Sequence, residues 1–237
     1  MRNVGLLYQN GQGVAQDYAE AGRWFQKAAE LGDTNAMTDL GLLYYYGQGL
    51  PLDYGEAYRW FSKAADAGEN SAMNNIGQLY ANGYGVARDY GEAKRWYEKA
   101  AALGNSAAMT SIGWLYESGN GVGRDYAEAR RWYEKATAAG NIQGIHNLGA
   151  LYANGLGGPK DANRGAELLL RSLTSGNQWT FDQFRTNSAA YDVGVRRRVQ
   201  QFLIDRGYLD GSADGQFGSK TRSALDAYQQ ALRAGRG

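Results

Sequence analysis

A chain of 237 residues with a formal charge of +1 is long enough for an elongated repeat array plus one small domain, and its charge balance gives no reason to expect nucleic acid or an acidic membrane surface as the main partner. The absence of cysteine excludes disulfides, a catalytic thiol and any thiolate metal site, without identifying a compartment. No apolar stretch approaches the roughly eighteen residues of a membrane span, and the N-terminus has no signal-peptide pattern.

Residues 2–8 correspond to the middle of a helix that returns later, because Val4, Gly5 and Tyr8 align with Ile76, Gly77 and Tyr80. The first turn of that helix is missing. Since a solenoid starts with a unit whose outer face is polar, the expectation is a fragment of a longer protein, or an end covered by an oligomeric neighbour. Any targeting signal or membrane anchor would then lie upstream.

From here a beat of 36 residues runs through the chain: Asp-Tyr at Asp17-Tyr18, Asp53-Tyr54, Asp89-Tyr90 and Asp125-Tyr126; tryptophan at Trp24, Trp60, Trp96 and Trp132; glycine at Gly5, Gly41, Gly77, Gly113 and Gly149. A period of this length marks a supersecondary unit that cannot bury its apolar face alone, so neighbours stack. In the unit at residues 69–104, Ala72, Met73, Ile76, Leu79 and Tyr80 have the spacing of an amphipathic helix, with Gly77 placed for close approach of another backbone. Asn82-Gly83-Tyr84-Gly85 ends it. Asp89 and Glu92 have capping-box spacing ahead of a second stripe, Ala93, Trp96, Tyr97, Ala100 and Ala101, which Gly104 closes as a left-handed cap. The same box occurs at Asp17-Glu20, Asp53-Glu56 and Asp125-Glu128, and helix capping, about 1 kcal/mol each, is a simpler reading of these carboxylates than catalytic pairs.

A small residue, Gly-x-x-Tyr, Gly-x-Gly, Asp, then Ala-x-x-Trp-x-x-x-Ala is a pattern that resembles the Sel1-like repeats, slightly longer relatives of tetratricopeptide repeats. The resemblance covers residues 1–176. It implies an all-α fold, an α-solenoid of about five helix-turn-helix repeats with a concave inner surface, used by the family as an adaptor for other proteins.

Comparing the repeats separates scaffold from candidate surface. Positions 38, 42 and 45 share a helix face at i, i+4 and i+7, and vary: Thr38, Leu42, Tyr45; Asn74, Gln78, Ala81; Thr110, Trp114, Glu117; His146, Ala150, Ala153. The first helix of each pair lines the concave side in such solenoids, which makes Leu42, Tyr45, Tyr46, Gln78, Trp114, Glu117 and His146 a candidate groove for a peptide or partner helix. The alternative is that they pack against the next repeat. His146 is the one histidine; no nucleophile motif accompanies it, no second histidine supports a metal site, and the expectation is a solvent-facing or partner-facing side chain. Neither a cofactor nor a catalytic residue is expected.

The fifth repeat departs from the pattern: Gly158-Pro159-Lys160-Asp161 changes the loop, Leu168 stands at the tryptophan position, and Leu169, Leu170 and Leu173 make a more apolar helix, whose extra leucines are expected to contact the next segment of the chain. Residues 177–194 carry Trp179, Phe181, Phe184 and Tyr191, too many aromatics for a flexible linker, and read as a junction packed on the last repeat. At Val195 the periodicity stops. Val195, Val199, Phe202 and Leu203 form one stripe and Leu225, Tyr228 and Leu232 another, with glycine-rich loops between.

Val199-Gln200 with Leu203, Gly207-Tyr208, Asp214-Gly215-Gln216-Phe217-Gly218, Thr221, and Ala224-Leu225 with Tyr228-Gln229 resemble the peptidoglycan-binding-like domain, with Val199 in place of leucine. That resemblance, over residues 195–237, implies a small three-helix domain of the kind that holds cell-wall enzymes on peptidoglycan. Physically, Asp214-Gly215 reads as a turn and Phe217 as a core anchor, while Tyr208, Asp214, Gln216 and Arg222 are the glycan-contact candidates. The combination also resembles the periplasmic end of certain bacterial polarity-localisation factors. The reading is a non-enzymatic scaffold at the bacterial envelope, in or near the periplasm, with a protein partner and peptidoglycan as ligands. The alternative is the accessory region of an enzyme, a caspase-like peptidase or wall hydrolase, with its catalytic domain upstream.

Overall fold

The computed structural model describes residues 1–235, so the last two residues of the expected terminal domain lie outside the described residues. Among the described residues the secondary structure is helical, without strands. Helices α1 (Arg2–Asn10) and α2 (Tyr18–Glu30), α3 (Thr34–Tyr46) and α4 (Tyr54–Asp66), α5 (Asn70–Asn82) and α6 (Tyr90–Ala102), α7 (Ser106–Ser118) and α8 (Tyr126–Ala138), and α9 (Ile142–Asn154) and α10 (Ala162–Thr174) pair as antiparallel hairpins of an α-solenoid. They are followed by α11 (Gln178–Thr186), a single 3-10 turn (Ser188–Ala190), α12 (Val193–Asp205) and α13 (Ser219–Arg233). The chain divides into two compact units: residues 1–108 with 120–122, and residues 109–119 with everything from Gly123 onward. The division falls inside the fourth repeat.

The start of each second helix is fixed twice over. The Asp17 carboxylate accepts from the Ala19 and Glu20 N–H groups at 2.9 and 3.0 Å, and Asp53, Asp89, Asp125 and Asp161 cap their helices in the same way. Their own N–H groups donate back to the preceding helix, Asp17 to the Tyr8 carbonyl at 2.9 Å and Asp89 to the Tyr80 carbonyl at 2.9 Å. With that donor already satisfied, the glutamate of the expected capping box has no backbone partner to serve. It pairs one turn on instead, Glu20 with Arg23 at 2.9 Å and Glu128 with Arg131 at 3.0 Å, an exposed pairing of small worth. Replacing Asp89 by alanine is therefore expected to cost about 1 kcal/mol in urea denaturation, the value of a cap; a loss several times larger would mean that this carboxylate does more.

Packing within a hairpin rests on a glycine and a ring. A Cβ on Gly77 would lie 2.5 Å from Tyr97 Cε1, and Gly5, Gly41 and Gly113 stand in the same relation to Phe25, Phe61 and Tyr133. The close approach expected at Gly77 is thus by a side chain. Backbones themselves meet in the fifth repeat, where the ring is absent and a Cβ on Gly165 would lie 2.7 Å from Ala153 N. Phe25, Phe61 and Tyr133 are fully buried. The periodic tryptophans one residue earlier are less so, and each lies under the ammonium three residues on, from 4.8 Å for Lys27 over Trp24 to 3.9 Å for Lys135 over Trp132.

Residues 177–194 do more than join. α11 starts at residue 178 where α9 starts at 142, in register with the beat, and Asn177 caps it through the Thr180 N–H as Asn141 caps α9 through Gly144. One buried cluster runs from Leu169 and Leu173 through Phe181, Phe184 and Tyr191 to Val199, Leu203, Phe217, Leu225 and Tyr228. The extra leucines of α10 are in it, as expected. The three helices of the terminal part are α11, α12 and α13, the first supplied by the stretch read as a junction.

Candidate functional site

Within the first unit the varied helix face splits into two columns. At the inner one, Thr38 is buried and donates to the Glu69 carboxylate at 3.2 Å, and Glu69 caps α5. In the second unit Thr110 likewise donates to Asn141 at 3.1 Å. At Thr38 and Thr110 this column ties one first helix to the cap of the next. The outer column is different. Leu42 and Tyr45 are half-buried against the Phe61, Ile76 and Leu79 cluster, and Gln78 is half-buried on α5. Tyr46 is 62% exposed.

Tyr45 stands edge-on to Tyr46 at 4.9 Å and to Tyr54 at 5.4 Å, and Tyr54 stacks on Tyr84 at 4.6 Å. Burial and the neighbouring hydroxyls push the Tyr45 pKa up. Tyr54 belongs to the repeat pattern; Tyr45, Tyr46 and Tyr84 do not, their counterparts one repeat away being Ala81, Asn82 and Asn120 or Gln48. Three aromatics that the scaffold does not need thus converge on one place. Sequence reading found Tyr45 and Tyr46 and missed Tyr84, although the same repeat comparison would have shown it.

In the second unit two groove candidates are taken up by structure. Glu117 accepts a hydrogen bond of 2.6 Å from the Tyr133 hydroxyl, whose pKa burial and this carboxylate push far up; the carboxylate holds a core tyrosine. His146 is 4% exposed and faces neither solvent nor a partner. Its Nδ1 lies 2.9 Å from Thr180 Oγ1, its Nε2 3.3 Å from the Tyr191 hydroxyl, and Thr180 Oγ1 lies 2.7 Å from Ser172 Oγ. Burial lowers the imidazole pKa to about 4. Residue 146 occupies the stitching column, and its partner there is α11. Trp114 is 43% exposed on α7.

The terminal part presents an open cleft of about 740 Å3, walled by Arg196, Asp210, Gln216, Ser219 and Lys220 among others. Its base is the Asp214–Gly218 loop, clamped by a single buried amide: Gln200 Nε2 donates to Asp214 Oδ1 at 3.0 Å and to the Gln216 carbonyl at 2.9 Å, while its Oε1 accepts from the Gly215 N–H at 2.6 Å. Arg196 adds a bond of 2.6 Å to the Gly215 carbonyl. The Gln216 N–H and the Gln200 amide hold the Asp214 carboxyl below the usual carboxylate range. Asp214 therefore shapes the loop while lining the cleft, and Gln216 is exposed beside it. Tyr208, edge-on to Tyr228 at 5.2 Å, lines an adjoining cleft of about 490 Å3 that shares Lys220. Arg222 lines neither of these two clefts, because it falls one residue past the cleft-facing Thr221 on α13. Lys220, which the sequence reading passed over, faces both; its place at the start of a helix after a glycine loop was the available signal.

The Sel1 repeat model matches residues 1–33, 34–69, 70–105, 106–141 and 142–177, and the model described as "Putative peptidoglycan binding domain" matches residues 194–233. Among solved structures, the chain is similar to a Sel1 repeat protein from Oxalobacter formigenes, at 34% identity over 81% of this chain and 76% of that one, with a TM-score of 0.71. It is similar also to c5321, a protective antigen present in uropathogenic Escherichia coli strains and displaying an SLR fold, at 32% identity and a TM-score of 0.68. That match spans 99% of this chain but only 45% of c5321. The immunity protein Pa5087 from Pseudomonas aeruginosa shares the fold at 17% identity, with a TM-score of 0.59 over 100% of this chain and 83% of that one. No curated protein sequence matches the chain. Five consecutive matches over three quarters of its length, on hairpins whose caps and ring-on-glycine contacts repeat in step, make this chain a member of the Sel1 repeat family.

Proposed function

We propose that the chain is a non-enzymatic adaptor of the bacterial cell envelope, holding peptidoglycan at its terminal part and a protein partner on its repeats. The observation that carries the reading is the open polar cleft beside Gln216 and Lys220, within the residues that match the peptidoglycan-binding model. Its wall mixes carboxylates, amides, hydroxyls and two cations, groups suited to hydroxyls and amides of a glycan and carboxylates of its peptide stems. The repeats supply the second half of the reading through the tyrosine patch of Tyr45, Tyr46, Tyr54 and Tyr84, with Leu42 packed on the same core cluster as Tyr45 and Tyr54. Tyrosine offers large amphipathic contact area at low entropic cost, as protein-recognition surfaces require.

Sedimentation of the full chain with purified sacculi tests the first half. Retention is expected, and Lys220→Glu is expected to weaken it roughly tenfold, the loss of one charge-assisted contact. Arg222→Glu, a similar change of charge outside the clefts, is expected to leave it within about twofold, a fraction of one such contact. A chain that stays in the supernatant with sacculi in excess overturns the wall-binding reading, and equal loss in the two variants means that net charge and not the cleft does the binding.

A further inference from the structure

We infer that the terminal part is the built-in end cap of the repeat array: α11 is the first helix of a sixth repeat, and α12 and α13 stand where that repeat's second helix would pack. This does not depend on whether the cleft binds peptidoglycan. The register is the first support. Phe181 and Phe184 fall 36 residues after Ile145 and Leu148 and occupy the same buried positions. The beat then breaks at the residues that would seat and position a second helix. The glycine that would seat a ring, equivalent to Gly149, is Arg185, and the two loop glycines, equivalent to Gly155 and Gly157, are Tyr191 and Val193.

Arg185 is used. Its guanidinium lies 2.8 Å from Asp182 on its own helix and 2.6 Å from Asp226 on α13, and it donates to the Gln229 side chain. Gln229 in turn donates to Gln178 at 2.8 Å, and Arg233 donates to Gln178 at 2.7 Å. A ring seated on glycine has been replaced by a polar clamp between helices. Beneath it Phe184 lies 4.8 Å from Tyr191 and 5.8 Å from Phe217, so a ring of the array completes the core of the terminal part. Repeat arrays need an end unit whose outer face is polar, since each repeat is buried only by its neighbours. Here that unit covers Leu169 and Leu173 of α10.

A cap and an independent module differ in what opens together. Hydrogen exchange of the full chain, read by mass spectrometry with and without Arg185→Ala plus Gln229→Ala, separates them. The cap predicts that α10, α12 and α13 all exchange roughly tenfold faster or more in the variant while α3 to α6 keep their rates. Acceleration confined to α12 and α13 overturns it. If the variant does not fold, the wild-type chain decides: α10 and α13 should open with the same urea dependence, and a separate, shallower dependence for α13 contradicts the cap.

Discussion

Gly49→Ala is expected to remove about 3 kcal/mol or more of stability, far beyond the cost of the same change at Gly13. Both residues lie in Gly-x-Gly loops with positive φ, +70° and +76°. Alanine pays the left-handed penalty at either, on the order of 1–2 kcal/mol. The difference is what stands nearby. A Cβ on Gly49 would sit 2.3 Å from the Tyr18 carbonyl carbon and 2.4 Å from Ala19 N, the first turn of the preceding repeat's second helix, whereas nothing lies within 4 Å of one on Gly13. Backbone in a capped turn cannot yield as a side chain can, so the repeat-to-repeat contact itself must open. Urea midpoints of the two variants, at unchanged m, measure this. Equal and mild losses would mean that the second loop glycine serves only its own turn.

Acidification should destabilise the second unit through His146. Unfolded, the imidazole takes up its proton near pH 6.5; folded, not until about pH 4. Across that window the unfolded chain binds more protons, so stability is complete above pH 6.5 and declines as the pH falls, by about 3 kcal/mol in all. The geometry gives the cause. With the Tyr191 hydroxyl donating to Nε2, Nδ1–H to Thr180, Thr180 to Ser172 and Ser172 to the Ile142 carbonyl, every donor in the chain of bonds has an acceptor. A proton on Nε2 takes the acceptor from Tyr191 and places a charge where burial is the one cause found for its depressed pKa. His146→Asn should flatten the dependence of stability on pH between 6.5 and 4 while lowering the plateau. The same slope in the variant would assign it to other groups.

Much of this was legible because a repeat prints its constraints several times over. Asp89 and Gly104 could be read as cap and stop from one unit and checked against three more. What a single unit could not show was which of two adjacent aromatics is core: Trp96 carries the visible pattern, but Tyr97 fills the space left by Gly77, because the glycine's partner is set by hairpin geometry and not by spacing along one helix. The glutamates of the supposed capping boxes misled for a related reason, since the acceptor that satisfies the Asp89 N–H, the Tyr80 carbonyl, belongs to another helix. His146 looked like a surface residue because its counterparts are threonine and asparagine. Those are buried too, at 7% exposure for Thr38 and 8% for Thr110, and each is bonded to the next cap, so polarity there marks stitching and not solvent. The sixth half-repeat was hidden by its substitutions: with arginine at the glycine position and tyrosine at the loop glycine, residues 177–194 keep the apolar beat and lose the punctuation.

Under the proposed function the terminal cleft holds peptidoglycan while the tyrosine patch is left for another partner. Titration of the isotopically labelled full chain with soluble muropeptides, monitored by amide chemical shifts, tests this most directly. Saturable shifts confined to residues 196–227, absent in Lys220→Glu, with Tyr45, Tyr46 and Tyr84 unmoved, are the predicted result. Shifts at the tyrosines alone, or none at any muropeptide concentration that retains sacculi, would contradict it.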